Sequence, residues 1–159
     1  MSNVETATVD TAALLAHIER LEARATIREL MADYAHGCDE QDANRFMRIW
    51  HDDAIYKIGD ASRDVGTEEI RKRLDAIWEM SPETRHWITD ITVDFDGSDR
   101  ATGNAHTICF VKNSAGQEGL CSAWYDNVYT ERDGVWKIAE CNLTVHWFKL
   151  VQFDDAQLG

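Results

Sequence analysis

An α+β fold is predicted for this chain of 159 residues. Helical apolar spacing is confined to the first half, and the second half is a succession of long β-favouring runs divided by short polar turns. Helices first and strands afterwards imply helices packed on one face of a curved antiparallel sheet. A domain of this length buries roughly 70% of its unfolded surface, enough for one core with an internal pocket. The organisation expected is therefore a flexible tail over 1–9, a single domain over 10–150 and a C-terminal tail over 151–159.

The first stretch has little to bury. From there Leu14, Ile18, Leu21 and Ala25 recur at helical spacing, and Ile27, Leu30, Met31 and Tyr34 carry an apolar face onward. The drift between the two sets predicts a bend near Ala23 to Thr26. Gly37 is the expected stop, and Asp42 the expected cap of a short second helix through Phe46, Met47, Ile49 and Trp50. Ala54 to Ile58 is rich in strand formers, and Gly59 and Gly66 bracket a polar connection. Thr67 is expected to cap a third helix, with Glu68 and Glu69 favourably placed against its dipole and Ile70, Leu74, Ile77 and Trp78 on its buried face. Ser81-Pro82 ends it. Thr84 to Phe95, Ala101 to Lys112, Gly119 to Thr130 and Val135 to Phe148 then read as four strands, with turns at Asp96-Gly97-Ser98-Asp99, Asn113-Ser114-Ala115-Gly116 and Asp133-Gly134.

Charge narrows the partners. With 16 Lys+Arg against 29 Asp+Glu the formal net charge is −13, a field that repels phosphate backbones and anionic lipid surfaces. Nucleic acid and membrane partners are not expected, and no apolar run approaches the ~20 residues of a membrane span. Cys38, Cys109, Cys121 and Cys141 form no CxxC pair and sit mostly in apolar runs, as small core residues of a reduced, cytoplasmic protein. The histidines and acids lack HxxxH and HExxH spacing, and no GxGxxG, GxxxxGK[ST] or GxSxG occurs. Neither a metal nor another cofactor is expected.

Two residues have the chemistry of a general base. Asp39 lies in the polar break after the first long helix, and His86 at the start of a strand. An imidazole held by a carboxylate can take a proton near neutral pH. His106 and His146 fall on the opposite strand face by period-two alternation, and His17, His36 and His51 read as helix-surface or loop residues. Six Trp, four Tyr and five Phe supply apolar walls. Along one strand Cys121, Ala123 and Tyr125 share a face, and Ser122, Trp124 and Asp126 share the other.

The run Ala25-Thr26-Ile27-Arg28-Glu29-Leu30, then Tyr34, Asp39, Trp50-His51-Asp52-Asp53-Ala54, Thr84-Arg85-His86 and Asp133-Gly134-Val135-Trp136-Lys137-Ile138 resembles the SnoaL-like branch of the NTF2-like superfamily over about residues 20 to 148. The resemblance implies a cone of curved sheet closed by N-terminal helices around a deep pocket, assembled as a homodimer or homotrimer. Within the branch the chain looks most like members related to hexachlorocyclohexane dehydrochlorinase and scytalone dehydratase, and this places an Asp–His catalytic dyad on Asp39 and His86. Two cationic residues that accompany the dyad in the dehydrochlorinase are matched here by Tyr34 and Cys141, so dehydrochlorination is not expected. Tyr34 becomes the third catalytic candidate, as a hydrogen-bond donor. Tyr56, Tyr125, Trp50, Cys121 and Cys141 are the substrate-binding candidates on an aromatic wall.

The function this implies is a cofactor-free lyase on a small hydrophobic, aromatic substrate. His86 takes the proton while water is lost, or formaldehyde leaves a lignin-type diaryl compound in a retro-aldol-like step. A ketosteroid-isomerase-like isomerase and a non-catalytic small-molecule binder remain as alternatives, because the superfamily hosts both.

Overall fold

The structure, a computed structural model, describes residues 10–152; the tails expected at 1–9 and 151–159 lie outside the described residues except for 151 and 152. The element order is α1 (Thr11–Asp39), α2 (Ala43–Met47), β1 (Trp50–Ile58), β2 (Ser62–Val65), α3 (Thr67–Met80), β3 (Glu83–Thr89), β4 (Asp94–Phe95), β5 (Arg100–Lys112), β6 (Glu118–Arg132) and β7 (Val135–Leu150). This is the predicted α+β order. One seven-stranded sheet runs β2-β1-β7-β6-β5-β3, with β4 paired to β5.

All pairings are antiparallel except one. β1 joins β7 in parallel, Tyr56 opposite Cys141 and Ile58 opposite Leu143, so the sheet is mixed where an entirely antiparallel one was expected. The chain between β1 and β7, comprising β2, α3 and β3 to β6, supplies the long connection that a parallel pair requires.

α1 differs from its prediction at both ends. The Asp10 carboxylate caps it, accepting from the Ala12 and Ala13 amides. The helix is assigned without interruption through Ala23 to Thr26, where a bend was expected, and only its second half is buried. Ile27, Met31 and Tyr34 are at most 3% exposed, whereas Leu14, Leu15, Ile18 and Leu21 are exposed. Gly37 is no stop. It lies inside the helix with α2 against it, and a Cβ there would sit 2.7 Å from the Phe46 amide nitrogen. Gln41, at φ 53°, takes the left-handed position after the helix. Asp42 caps α2 as predicted, through Arg45 N–H at 3.0 Å. That helix ends at Met47, and Trp50 opens β1. Asp33 clamps the corner, its two oxygens taking Arg45 Nε at 2.8 Å and Arg48 Nη2 at 2.7 Å.

Three further details were not foreseen. The polar connection between Gly59 and Gly66 contains β2, zipped to β1 and tied to α3 by the Arg73–Asp64 ion pair. The N-cap of α3 is Gly66 and Thr67 is its first residue; Glu69 reaches back to the Val65 amide at 2.7 Å. The run expected from Thr84 to Phe95 breaks after Thr89, where Asp90 turns to φ 54°, and resumes as β4. The Asp133-Gly134 hairpin forms as predicted, both residues at positive φ as the tightest twisted hairpin requires. The core lies between the second half of α1, α2, α3 and the inner sheet face. At its centre are Trp50, Tyr56, Tyr125, Ile27 and Ile70.

Candidate active site

The end of α1 delivers Asp39 to the edge of the sheet, where β3 runs alongside. Thr84 and His86 are two apart on β3, so both side chains project toward α1 while Trp87 points away. Three donors from this short segment converge on one carboxylate. His86 Nδ1 lies 2.6 Å from Asp39 Oδ1, the His86 amide donates to Oδ2 at 2.7 Å, and the Thr84 hydroxyl donates to Oδ1 at 2.8 Å. Arg85 Nη1 also donates to the Asp39 carbonyl at 3.3 Å. Both dyad side chains are largely buried, 12% exposed for His86 and 14% for Asp39.

The electrostatics follow from these contacts. Burial alone would raise the Asp39 pKa. The hydrogen bond and charge of His86, its backbone amide and the Thr84 hydroxyl together outweigh burial and hold the carboxyl below its ordinary value. An ionised carboxylate only accepts, so Nδ1 carries a proton toward it; in the neutral ring Nε2 then holds the lone pair.

Tyr34 stands one turn and a half before Asp39 on α1. Its ring meets the His86 ring edge-on, centroids 6.1 Å apart, and its hydroxyl pairs with that of Tyr56 at 2.9 Å. Tyr125 lies edge-on to Tyr34 at 5.3 Å. Burial pushes all three phenols well above their ordinary pKa, and their mutual proximity pushes Tyr34 and Tyr125 further. They are neutral, and each retains a proton to donate.

The wall candidates divide into two groups. Trp50, Tyr56, Tyr125 and Cys141 are at most 2% exposed and pack as a closed aromatic end of the cone. In this structure they fill the space that was expected to be open. Cys121 is only partly buried and lies in a cross-strand row that runs His86, Cys109, Cys121, Phe148 over four strands. Burial pushes the Cys109 thiol up to about 12 and Cys121 also upward, so this part of the face is uncharged. Two clefts lie elsewhere: one of about 860 Å³ between the first half of α1 and the hairpin turns, the other of about 490 Å³ beside Gly116 and Val151, neither touching the dyad. Among the described residues the candidate site is marked instead by the one buried imidazole held on a carboxylate, His86 on Asp39.

The remaining histidines fall away from this centre. His106 is exposed, stacked edge-on against Trp124 at 4.4 Å. His51, expected on a surface or loop, is instead buried in β1 with Nε2 3.0 Å from the Thr130 carbonyl. Among the described residues no group of three or more His, Cys, Asp or Glu is placed to hold a metal, and no helix is long and apolar enough to cross a membrane. Thr84 is the site residue whose contact with Asp39 was not anticipated. Its spacing of two from His86 was the available signal, but it points at Asp39 only once α1 is docked.

Residues 19–142 match the family described as a SnoaL-like domain. Hexachlorocyclohexane dehydrochlorinase 1 of Sphingobium indicum is 31% identical over 136 residues, covering 84% of this chain and 88% of that protein. The solved structure of a type 2 hexachlorocyclohexane dehydrochlorinase superimposes with a TM-score of 0.83 at 29% identity, covering 89% of this chain and 99% of the other. A scytalone-dehydratase-like protein from Novosphingobium aromaticivorans shares the fold, with a TM-score of 0.78 at 17% identity over 87% and 93% of the two chains.

Proposed function

Since the chain belongs to the SnoaL-like domain family, we propose that it is a cofactor-free lyase in which His86 is the general base, Asp39 its orienting carboxylate and Tyr34 a hydrogen-bond donor. The observation that carries this reading is the 2.6 Å contact between His86 Nδ1 and Asp39 Oδ1, made by residues far apart in the chain and largely shielded from water. Nε2 takes a proton from an activated C–H or O–H, and Asp39 stabilises the imidazolium that forms. The relatives named as dehydrochlorinases support an elimination.

We assign a reaction that expels no chloride: the group that departs is a hydroxyl oxygen in a dehydration and a carbon in a deformylation. Tyr34 and Cys141 are neutral, and a phenol donates a proton to a departing oxygen. Two outcomes suit a small aromatic substrate. In a dehydration, the proton leaves carbon, its electron pair forms the double bond and hydroxide departs as water with a proton from the donor. In a deformylation, the proton leaves a primary hydroxyl, the adjacent carbon–carbon bond breaks to release formaldehyde, and the electron pair left on the second carbon takes the proton back from the His86 imidazolium. Tyr34, Tyr56, Tyr125, Trp50 and Cys141 would form the closed end of the substrate wall, and Cys121 its accessible edge. Edge or offset contacts with aromatic rings contribute about 0.5–1.5 kcal/mol per pair.

The test is a screen of diaryl alcohols carrying a hydroxymethyl group, read by formaldehyde release and by product mass. His86→Ala and Asp39→Asn should each lose roughly 10²- to 10⁴-fold in turnover while remaining folded. Turnover that survives both substitutions defeats the lyase reading. A product of unchanged mass assigns an isomerase, and ligand affinity without turnover assigns a binder. With γ-hexachlorocyclohexane, ion chromatography should detect no chloride above the buffer control; enzyme-dependent chloride would overturn the assignment of the leaving group.

A homodimer or homotrimer is part of the same proposal. The outer sheet face has Trp87 and Trp147 at 56% and 45% exposed, in one cross-strand row with Ile108 and Ser122. Such a stripe fits burial against further copies of this chain.

A further inference from the structure

A carboxylate held by a single hydrogen bond can still swing about it, so the 2.6 Å contact with His86 needs something that fixes the plane of the Asp39 carboxyl. The His86 amide fixes Oδ2 at 2.7 Å. The Thr84 hydroxyl, on a residue only 6% exposed, fixes Oδ1 at 2.8 Å. We propose that Thr84 is a positioning residue for the dyad: its hydroxyl sets the orientation of the Asp39 carboxylate and with it the tautomer in which His86 offers Nε2 as the base. The proposal rests on the lyase reading for its catalytic consequence, though not for its structural one.

The geometry gives the hydroxyl this part for two reasons. Thr84 and His86 share a strand face two residues apart, so whatever α1 presents between them meets both side chains together. Oδ1 also receives two donors, Thr84 Oγ1 and the ring Nδ1, and an oxygen so occupied has its lone pairs aimed along fixed directions. Without the hydroxyl, Asp39 keeps the amide on Oδ2, but Oδ1 can rotate off the imidazole. The ring then has less reason to keep its proton on Nδ1. A ring protonated on Nε2 has no lone pair there and is no base toward substrate.

The experiment compares Thr84→Val, Thr84→Ser and wild-type full-length protein. Valine keeps the shape and removes the donor; serine keeps the donor. Long-range proton–nitrogen NMR spectra of the His86 ring report the tautomer without any substrate. Wild type and Thr84→Ser should each give a single Nδ1–H form, and Thr84→Val a mixture of the two neutral forms. With a hydroxymethyl diaryl alcohol as probe, Thr84→Val should lower kcat roughly 3- to 10-fold, the worth of one lost hydrogen bond, with KM changed less than about twofold. Thr84→Ser should restore it. A folded Thr84→Val with the wild-type tautomer overturns the proposal. So does loss of kcat in Thr84→Ser equal to that in Thr84→Val, because that outcome describes a packing role. Should Thr84→Val not fold, Thr84→Ala makes the same comparison without overpacking. His86→Ala is assayed in parallel. If it turns over the probe normally, the lyase reading fails, and the NMR spectra still decide the case of Thr84.

Discussion

Asp39 and Asp33 illustrate how a single side chain makes this protein sensitive to acid. Both carboxyls are held below their ordinary pKa, each against a burial effect that works the other way: Asp39 by His86 and Thr84, Asp33 by Arg45 and Arg48. A group with a depressed folded pKa contributes stability that is present above its unfolded value, about 4, and lost as pH falls through the folded value. The melting temperature should therefore fall between about pH 5 and pH 2. Asp33→Asn should melt lower than wild type at pH 7, and the gap should narrow toward pH 3, as read by circular dichroism. Parallel curves would remove Asp33 from the acid transition. The pair Asp39 and His86 was legible through the family resemblance, since an acid at a helix end and a histidine on a strand are each ordinary by themselves. Thr84 was not: threonine in a strand is ordinary, and only its neighbour across space gives it a role.

Among the elements, α1 and its corner with α2 show best how packing overrides local signals. Glycine after an apolar helical run usually marks a stop, yet Gly37 is required for close approach to Phe46, with Cβ contacts of 2.7 and 2.8 Å to the Phe46 backbone. Gly37→Ala should therefore destabilise the protein by about 1–3 kcal/mol through overpacking, despite alanine's better helix propensity. Chemical denaturation measures it, and a neutral or stabilising result would mean that α2 moves aside freely. Because α2 and the end of α1 hold Asp39 in place, the same variant should also lower turnover. The strand β2 escaped prediction for a related reason: Ser62-Arg63-Asp64-Val65 has no apolar alternation, and its register comes from β1 and from Arg73 on α3.

For the molecule as a whole, the distribution of apolar surface is the main unresolved demand of the fold. Helices cover the inner sheet face, while Trp87, Ile108 and Trp147 remain on the outer one. A second stripe, Leu14, Leu15, Ile18 and Leu21, lies along the first half of α1. If the outer face joins copies of the chain, Ile108→Glu should convert the assembly to monomer, as seen by light scattering coupled to size exclusion. Turnover should persist in that monomer, since Ile108 is on the face opposite His86. Wild type that is already monomeric would defeat the assembly.

Periodicity and turn chemistry, both local properties, carried the reading of element order and hairpins directly from the residues, and the family resemblance joined Asp39 to His86 as the candidate base. The parallel junction of β1 with β7, the exposure of the first half of α1, the use of Gly37 and the convergence of Thr84 and His86 on Asp39 arose only on folding. Each depends on which surfaces meet, and contacts between distant segments leave no periodic trace in either segment alone.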